Sequence, residues 1–261
     1  MNRNVLVTGA TVGIGKEIAQ LFAEDGSSLV LVARNKSKLE AIAKEWRNKY
    51  EIKVEPIALD LSKPGSAKVL FQALAKKKLH VDVLVNNAGF GANGEFAKNE
   101  FTVESDMVHL NVVALTELSH LLLPGMKKSS AKVKGILNVA STAAFQAGPY
   151  MSNYYATKAY VLSLSEGLHY ELKSQGVHVS CLCPGATRTE FFDRAGMQEN
   201  NLLNNEFLLA SPKSVAEFGY KAFEKNKAIA IPGFLNSLLA QSARITPRFI
   251  IRMITAKMNK G

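Results

Sequence analysis

Short apolar runs rich in β-branched residues alternate with longer segments of helical period along most of the chain. NVLVT (4–8), SLVLVA (28–33), KVEPIAL (53–59), VDVLVNN (81–87), GILNVAS (135–141) and VHVSCLC (177–183) read as strands, with a short seventh at AIAIPG (228–233). Between them the pattern predicts helices over Gly13–Glu24, roughly Ser37–Tyr50, and then 62–78, 100–127, 152–175 and 212–225. The strands are continuously apolar rather than alternating, as strands covered on both faces should be. Strands that alternate with helices predict an α/β fold, a doubly wound parallel sheet of about seven strands flanked by helices. No Pro/Gly/Ser-rich linker or internal repeat divides residues 1–261, so a single domain with a C-terminal extension over 234–261 is expected.

Charge changes this picture only at the end of the chain. The net charge is +10, and after Glu224 there is no carboxylate, while Lys225, Lys227, Arg244, Arg248, Arg252, Lys257 and Lys260 supply +7. The 224 residues before them carry the other +3, which argues against a nucleic-acid-binding surface and points to the tail. The two cysteines, Cys181 and Cys183, share one face of a strand, too close for a comfortable disulfide, and read as core thiols. His109, His120, His169 and His178 lack ligand spacing, so no metal is expected. No apolar run is expected to reach the roughly 20 residues that cross a bilayer, because Pro124 and Gly125 interrupt the greasiest stretch. With a strand from residue 4, no signal peptide ahead of it and few cysteines, the chain reads as cytoplasmic.

VLVTGATVGIGKEIA places Gly9, Gly13 and Gly15 at a strand-to-helix turn, where backbone amides can approach a pyrophosphate at a positive helix N-terminus. NYYATK (153–158) puts a lysine one helical turn after two tyrosines. A phenol with a pKa of roughly 10 can donate or accept a proton near neutrality only beside a cation. Lys158 offers one, and the spacing leaves Tyr154 and Tyr155 both open, with offsets of about 40° and 60°.

The turn has TGxxxGxG spacing, and with Asn86-Asn87-Ala88-Gly89 it resembles the short-chain dehydrogenase/reductase family, whose fold is of the Rossmann type. The resemblance runs from Thr8 to about Thr189 through seven motifs in order: TGATVGIG, Asp60, NNAG, Asn111, Ser141, YATK and PGATRT. It implies an NAD(P)-dependent oxidoreductase that interconverts a carbonyl and an alcohol. The family pattern YxxxK selects Tyr154 as acid/base, with Lys158 lowering its pKa and binding the nicotinamide ribose. Ser141 would anchor the substrate oxygen, and Asn111 would hold a water that continues a proton relay. Thr11, Ile14, Ala88, Gly89, Pro184, Gly185 and Thr187 would line the cofactor together with the glycines and Asn87. Asp60 would meet the adenine amino group, and Thr189 the carboxamide. At the end of the second strand an NAD enzyme usually carries an acid; Ala33 and then Arg34 stand there instead. An arginine can hold a 2′-phosphate, so NADP is favoured over NAD, although Val12 occupies a place where the family often adds a second base.

The segment 190–212, with Phe191, Phe192, Met197, Leu202, Leu203 and Phe207, reads as an apolar substrate lid, with Phe145 and Met151 as further walls. A hydrophobic carbonyl or alcohol substrate follows. The extension reads as a helix, a break, and a second helix capped by Thr246 with Pro247 at its first position. Its mixture of apolar and basic residues could lie on an anionic membrane, cover the pocket or pair with another subunit, and a homodimer or homotetramer is expected. Two other readings are a non-catalytic NADP(H)-sensing protein and a membrane-peripheral reductase of ketoacyl or steroid type.

Overall fold

A computed structural model describes residues 3–197 and 209–260, with all their side chains except those of Asp193 and Arg194. The first half runs β1 (Asn4–Thr8), α1 (Gly13–Glu24), β2 (Ser28–Ala33), α2 (Lys36–Tyr50), β3 (Val54–Ala58), α3 (Ser66–Lys76) and β4 (Val83–Asn86). The second half continues with α4 (Phe101–Val108), a π-helical segment (His109–Ala114), α5 (Leu115–Lys128), β5 (Gly135–Val139), α6 (Ser152–Lys173) and β6 (His178–Leu182). After these come α7 (Phe191–Arg194), α8 (Pro212–Glu224), β7 (Ile229–Ala230), α9 (Phe234–Ser242) and α10 (Arg248–Lys260).

All strand pairings are parallel, in the order β3-β2-β1-β4-β5-β6-β7. The order reverses between β1 and β4, so the chain leaves their carboxyl ends in opposite directions and a crevice opens there. One face of the sheet is covered by α1, α2 and α8, which bury Ile18, Phe22, Trp46 and Phe223. The opposite face holds Leu70, Leu118, Met126, Ile136 and Val179. Burying each such side chain stabilises the fold by about 1.5–3 kcal/mol. This two-sided burial is why the strands carry no polar alternation.

The predicted helix 100–127 forms, but it is not uniform. Its middle turn, His109–Ala114, is π-helical, and Pro124 lies inside α5 rather than ending it. By length and apolar content the 28 residues Phe101–Lys128 therefore meet the requirement for crossing a bilayer, contrary to the sequence expectation. In the fold, Leu115, Leu118, Leu122 and Met126 of this helix are buried. Thr246 does not cap α10: its hydroxyl donates backwards to the Ser242 carbonyl at 2.9 Å, and the helix starts at Arg248, after Pro247. Phe145 is no pocket wall, because the short 3₁₀ turn Thr142–Phe145 directs it into a cluster with Leu115, Ala140 and Val161. Cys181 and Cys183 are buried free thiols with sulfurs 3.7 Å apart.

Candidate active site

The crevice holds a cavity of about 910 Å³ that runs from the glycine turn, past the ends of β4 and β5, to the C-terminal helices. Its nucleotide end is built by the turn between β1 and α1. Gly9 has φ +69°, and a Cβ on it would come within 2.7 Å of the Asn87 amide nitrogen. Gly15 is more confined, since a Cβ there would lie 2.2 Å from that nitrogen and 2.5 Å from the Gly9 carbonyl oxygen. The Asn87 amide donates to the carbonyls of Thr8 and Gly9 at 3.0 and 3.2 Å, which fixes the turn against the end of β4. Thr8 adds a tie that the motif reading missed. Its hydroxyl accepts from the backbone N–H groups of Asn87 and Ala88, both at 3.0 Å.

Gly9, Thr11, Gly13, Ile14, Asn87, Ala88 and Gly89 line the cavity, whereas Gly15 lies beneath the turn and not in the lining. Pro184, Gly185, Thr187 and Thr189 line it from the segment after β6. At the outer edge Arg34 is exposed at the tip of β2 and shares the lining with Asp60. Burial disfavours the Asp60 carboxylate. Hydrogen bonds from the Ser62 amide and hydroxyl, with the Arg34 charge, outweigh that and hold its pKa below the ordinary value.

The chemical end is built by β5 and the first turns of α6. Ser141 follows β5 and its hydroxyl accepts from the Ala143 amide at 3.1 Å while donating to the Pro184 carbonyl at 3.4 Å. Tyr154 and Lys158, four residues apart on α6, are both buried, and the Lys158 ammonium lies 5.7 Å from the centre of the Tyr154 ring. Burial raises the Tyr154 pKa, opposed by a hydrogen bond with Ser141. The phenol therefore stays protonated at neutral pH, which suits a proton donor. Burial also pushes the Lys158 pKa down to about 8, against an opposing pull from Cys181 and Cys183. The ammonium donates to the Val139 carbonyl at 2.9 Å, which aims it along β5 toward the cavity.

Asn111 stands one layer behind the lining. The π-helical segment delivers its buried side chain to Phe90, where the amide donates to the backbone carbonyl at 2.9 Å and accepts from the N–H at 3.2 Å. It also donates to the Thr157 hydroxyl at 3.1 Å, so it braces both the loop following NNAG and α6. π-helical turns of this kind recur at functional sites because the extra residue changes which side chains face inward.

The substrate end is apolar. The Phe191 ring packs tilted against Tyr154 with centroids 5.2 Å apart, and Phe192, Met197, Met151 and Met107 join the same cluster. Of the predicted lid, Leu202, Leu203 and Phe207 lie outside the described residues. The C-terminal helices close this end: Leu235 and Leu239 of α9 and Ile251, Ile254 and Met258 of α10 line the cavity. Asn259 is the residue the sequence did not reveal. It is 4% exposed; its side chain donates to the Pro149 carbonyl at 2.9 Å and accepts from the Tyr155 hydroxyl at 3.4 Å. Nearby, the Thr255 hydroxyl donates to the Ala147 carbonyl at 2.9 Å. Tyr155 thus faces the tail, and Tyr154 faces Ser141.

Residues 3–200 match the family model of the short chain dehydrogenases. The chain is 35% identical over 187 residues to hydroxysteroid dehydrogenase-like protein 1 of Gallus gallus, covering 70% of this chain but only 55% of that protein, so it spans a little over half of that relative's length. It is 31% identical over 232 residues to the ketoacyl reductase HetN of a Nostoc strain, covering 88% of this chain and 77% of the relative. Among solved structures, a short-chain dehydrogenase from Sphingobium yanoikuyae in complex with NADPH superposes with a TM-score of 0.81 and 32% identity, over 93% of this chain and 94% of that one. Glycine turn, NNAG segment and Ser-Tyr-Lys set lie inside the matched region. This chain belongs to the short-chain dehydrogenase/reductase family, the NAD(P)-dependent oxidoreductases that act on alcohol and carbonyl carbons.

Proposed function

We propose that this protein is an NADP-preferring carbonyl reductase or alcohol dehydrogenase for a hydrophobic substrate, with Tyr154 as its acid/base. The observation that carries the reading is the convergence of Ser141, Tyr154 and Lys158 at the point where the nucleotide crevice meets an apolar pocket. The glycine turn, the NNAG segment and Arg34 fit a dinucleotide phosphate, whose nicotinamide supplies or accepts hydride when bound. Four residues of this chain do the rest. The Ser141 hydroxyl donates to the substrate oxygen and orients it beside Tyr154. In reduction the Tyr154 phenol gives its proton to the oxygen as negative charge develops there. The Lys158 ammonium stabilises the phenolate that remains, and Asn111 holds the neighbouring backbone for reprotonation from solvent.

Arg34 and the absence of an acid after β2 support NADP. The rings and methionines around Tyr154 support an apolar ketone, and the names of the two relatives, one hydroxysteroid dehydrogenase-like and one ketoacyl, mark the two classes to try first. The test is a screen of steroid ketones, β-ketoacyl thioesters and small aldehydes with NADPH and NADH, run on the wild type and Tyr154→Phe. Tyr154→Phe should lose about 10²–10⁴-fold in turnover while NADPH still binds. Wild-type turnover by Tyr154→Phe would overturn the assignment. Tight NADPH binding with no turnover of any carbonyl by the wild type would favour a nucleotide sensor instead.

A further inference from the structure

The same face of α10 that carries Ile251, Thr255 and Asn259 at four-residue spacing is turned to the body of the protein. The opposite face therefore points to solvent. It bears Phe249 and Met253, each 62% exposed, with Lys257 one turn further on. On α9, Phe234 is 85% exposed, and Leu235, Leu238 and Leu239 are exposed beside it; Ile245, in the link between the helices, is 86% exposed. Single exposed apolar residues are ordinary, but a run of this length along two consecutive helices at a cavity mouth is not.

The charge around this face decides what can cover it. Arg244, Arg248, Arg252, Lys257 and Lys260 are all exposed, and no ion pair among the described residues includes them. Polar latches on the inner face mean that α10 need not unfold to present the outer one. A second copy of the chain would bring the same uncompensated cations face to face, which Coulomb repulsion opposes. An apolar stripe flanked by cations fits instead a surface that is apolar within and anionic at its boundary.

We propose that the outward faces of α9 and α10 dock the protein on an anionic lipid bilayer, with Phe234, Leu238, Phe249 and Met253 entering the acyl boundary and the tail cations meeting lipid headgroups. This orientation sets the mouth of the apolar cavity against the membrane.

Sedimentation of the full chain with vesicles tests this directly. Phosphatidylcholine vesicles with added phosphatidylglycerol should bind the wild type, vesicles of phosphatidylcholine alone should bind it far less, and high salt should release it. A Phe249→Ser/Met253→Ser double variant should lose most of the binding. Replacing Arg248, Arg252 and Lys257 with glutamine should lower partitioning on the order of a hundredfold. Neither set lines the cavity, so turnover of a small soluble carbonyl at saturating NADPH serves as a separate readout of fold and catalysis. Equal binding to neutral and anionic vesicles, or unchanged binding by both variants with soluble activity intact, overturns the proposal. Self-association that the double variant abolishes, without vesicle binding, overturns it in favour of a second copy.

Discussion

Among single residues, the contrast between Tyr154 and Tyr155 is set by their partners rather than by their spacing from Lys158. Tyr154 shares a hydrogen bond with Ser141, whereas Tyr155 donates to Asn259. Tyr155→Phe should therefore leave turnover within a few-fold of wild type, in contrast to Tyr154→Phe, when both are assayed under the same conditions. Lys158 gives the reaction a pH dependence whose sign follows from burial. Its folded-state pKa is lowered from 10.5 to about 8, so the ammonium is present below that pH and lost as the pH rises through it. In carbonyl reduction, kcat/KM for NADPH should fall above pH 8, and in any active Lys158→Arg variant that limb should move to higher pH. Between about 8 and 10.5 the unfolded chain binds more protons than the folded one at this site, so this group makes the fold more stable as pH rises across that window. Arg34→Ala should raise KM for NADPH roughly 10- to 100-fold while barely changing that for NADH. An unchanged ratio of the two constants would remove the argument for NADP. The motifs made these residues legible, because each is read from its own sequence neighbourhood. Asn259 was not legible: its role exists only because a tail 104 residues further on folds back over Tyr155.

At the scale of elements, β1, β2 and α1 have the bounds their apolar runs predict. The others shift by a few residues at their ends, as with α3, which begins only at Ser66, where Gly65 with φ +76° admits the chain into the helix. The π-helical segment escaped the sequence because HLNVVA is as apolar and helix-compatible as its flanks; only the contacts of Asn111 with Phe90 and Thr157 reveal why a wider turn forms there. Thr246-Pro247 looked like a helix start, yet its hydroxyl closes the previous turn, a competition that threonine offers at any helix end. The docking of α10 rests on few polar bonds. Asn259→Ala would leave the Tyr155 hydroxyl and the Pro149 carbonyl without this partner and should cost about 1–3 kcal/mol of stability. It should also raise KM for a bulky ketone more than for a small aldehyde, because α10 walls only the far end of the cavity. Equal changes for both substrates would mean that the tail serves stability alone.

For the molecule as a whole, the parallel sheet positions nucleotide and substrate ends on either side of the reversal between β1 and β4, and that much follows from the alternation of strands and helices. What the alternation does not contain is how the residue before β1 is tied to the ends of α1 and α8. Arg3, 2% exposed, pairs with Asp25 at 2.5 Å and with Glu224 at 2.7 Å, and Tyr220 donates to the same Asp25 at 2.7 Å. Arg3→Ala would take the cationic partner from both carboxylates, leaving Asp25 only its hydrogen bonds from Tyr220 and Ser27, and should cost about 3–5 kcal/mol, read as a fall in Tm with no change in KM. Glu224 is also the last carboxylate in the sequence, and its partner is this arginine. The internal pair thus engages the last carboxylate of the sequence, while Arg244, Arg248, Arg252, Lys257 and Lys260 stand exposed on and between the helices that wall the cavity, a cluster of positive charge at its rim. A dinucleotide phosphate approaching from solution is an anion and will be drawn down that field before it touches Arg34 or the glycine turn. Cofactor capture should therefore be a salt-dependent rate: the stopped-flow association constant for NADPH should decline with ionic strength, and decline less once the tail cations are neutralised.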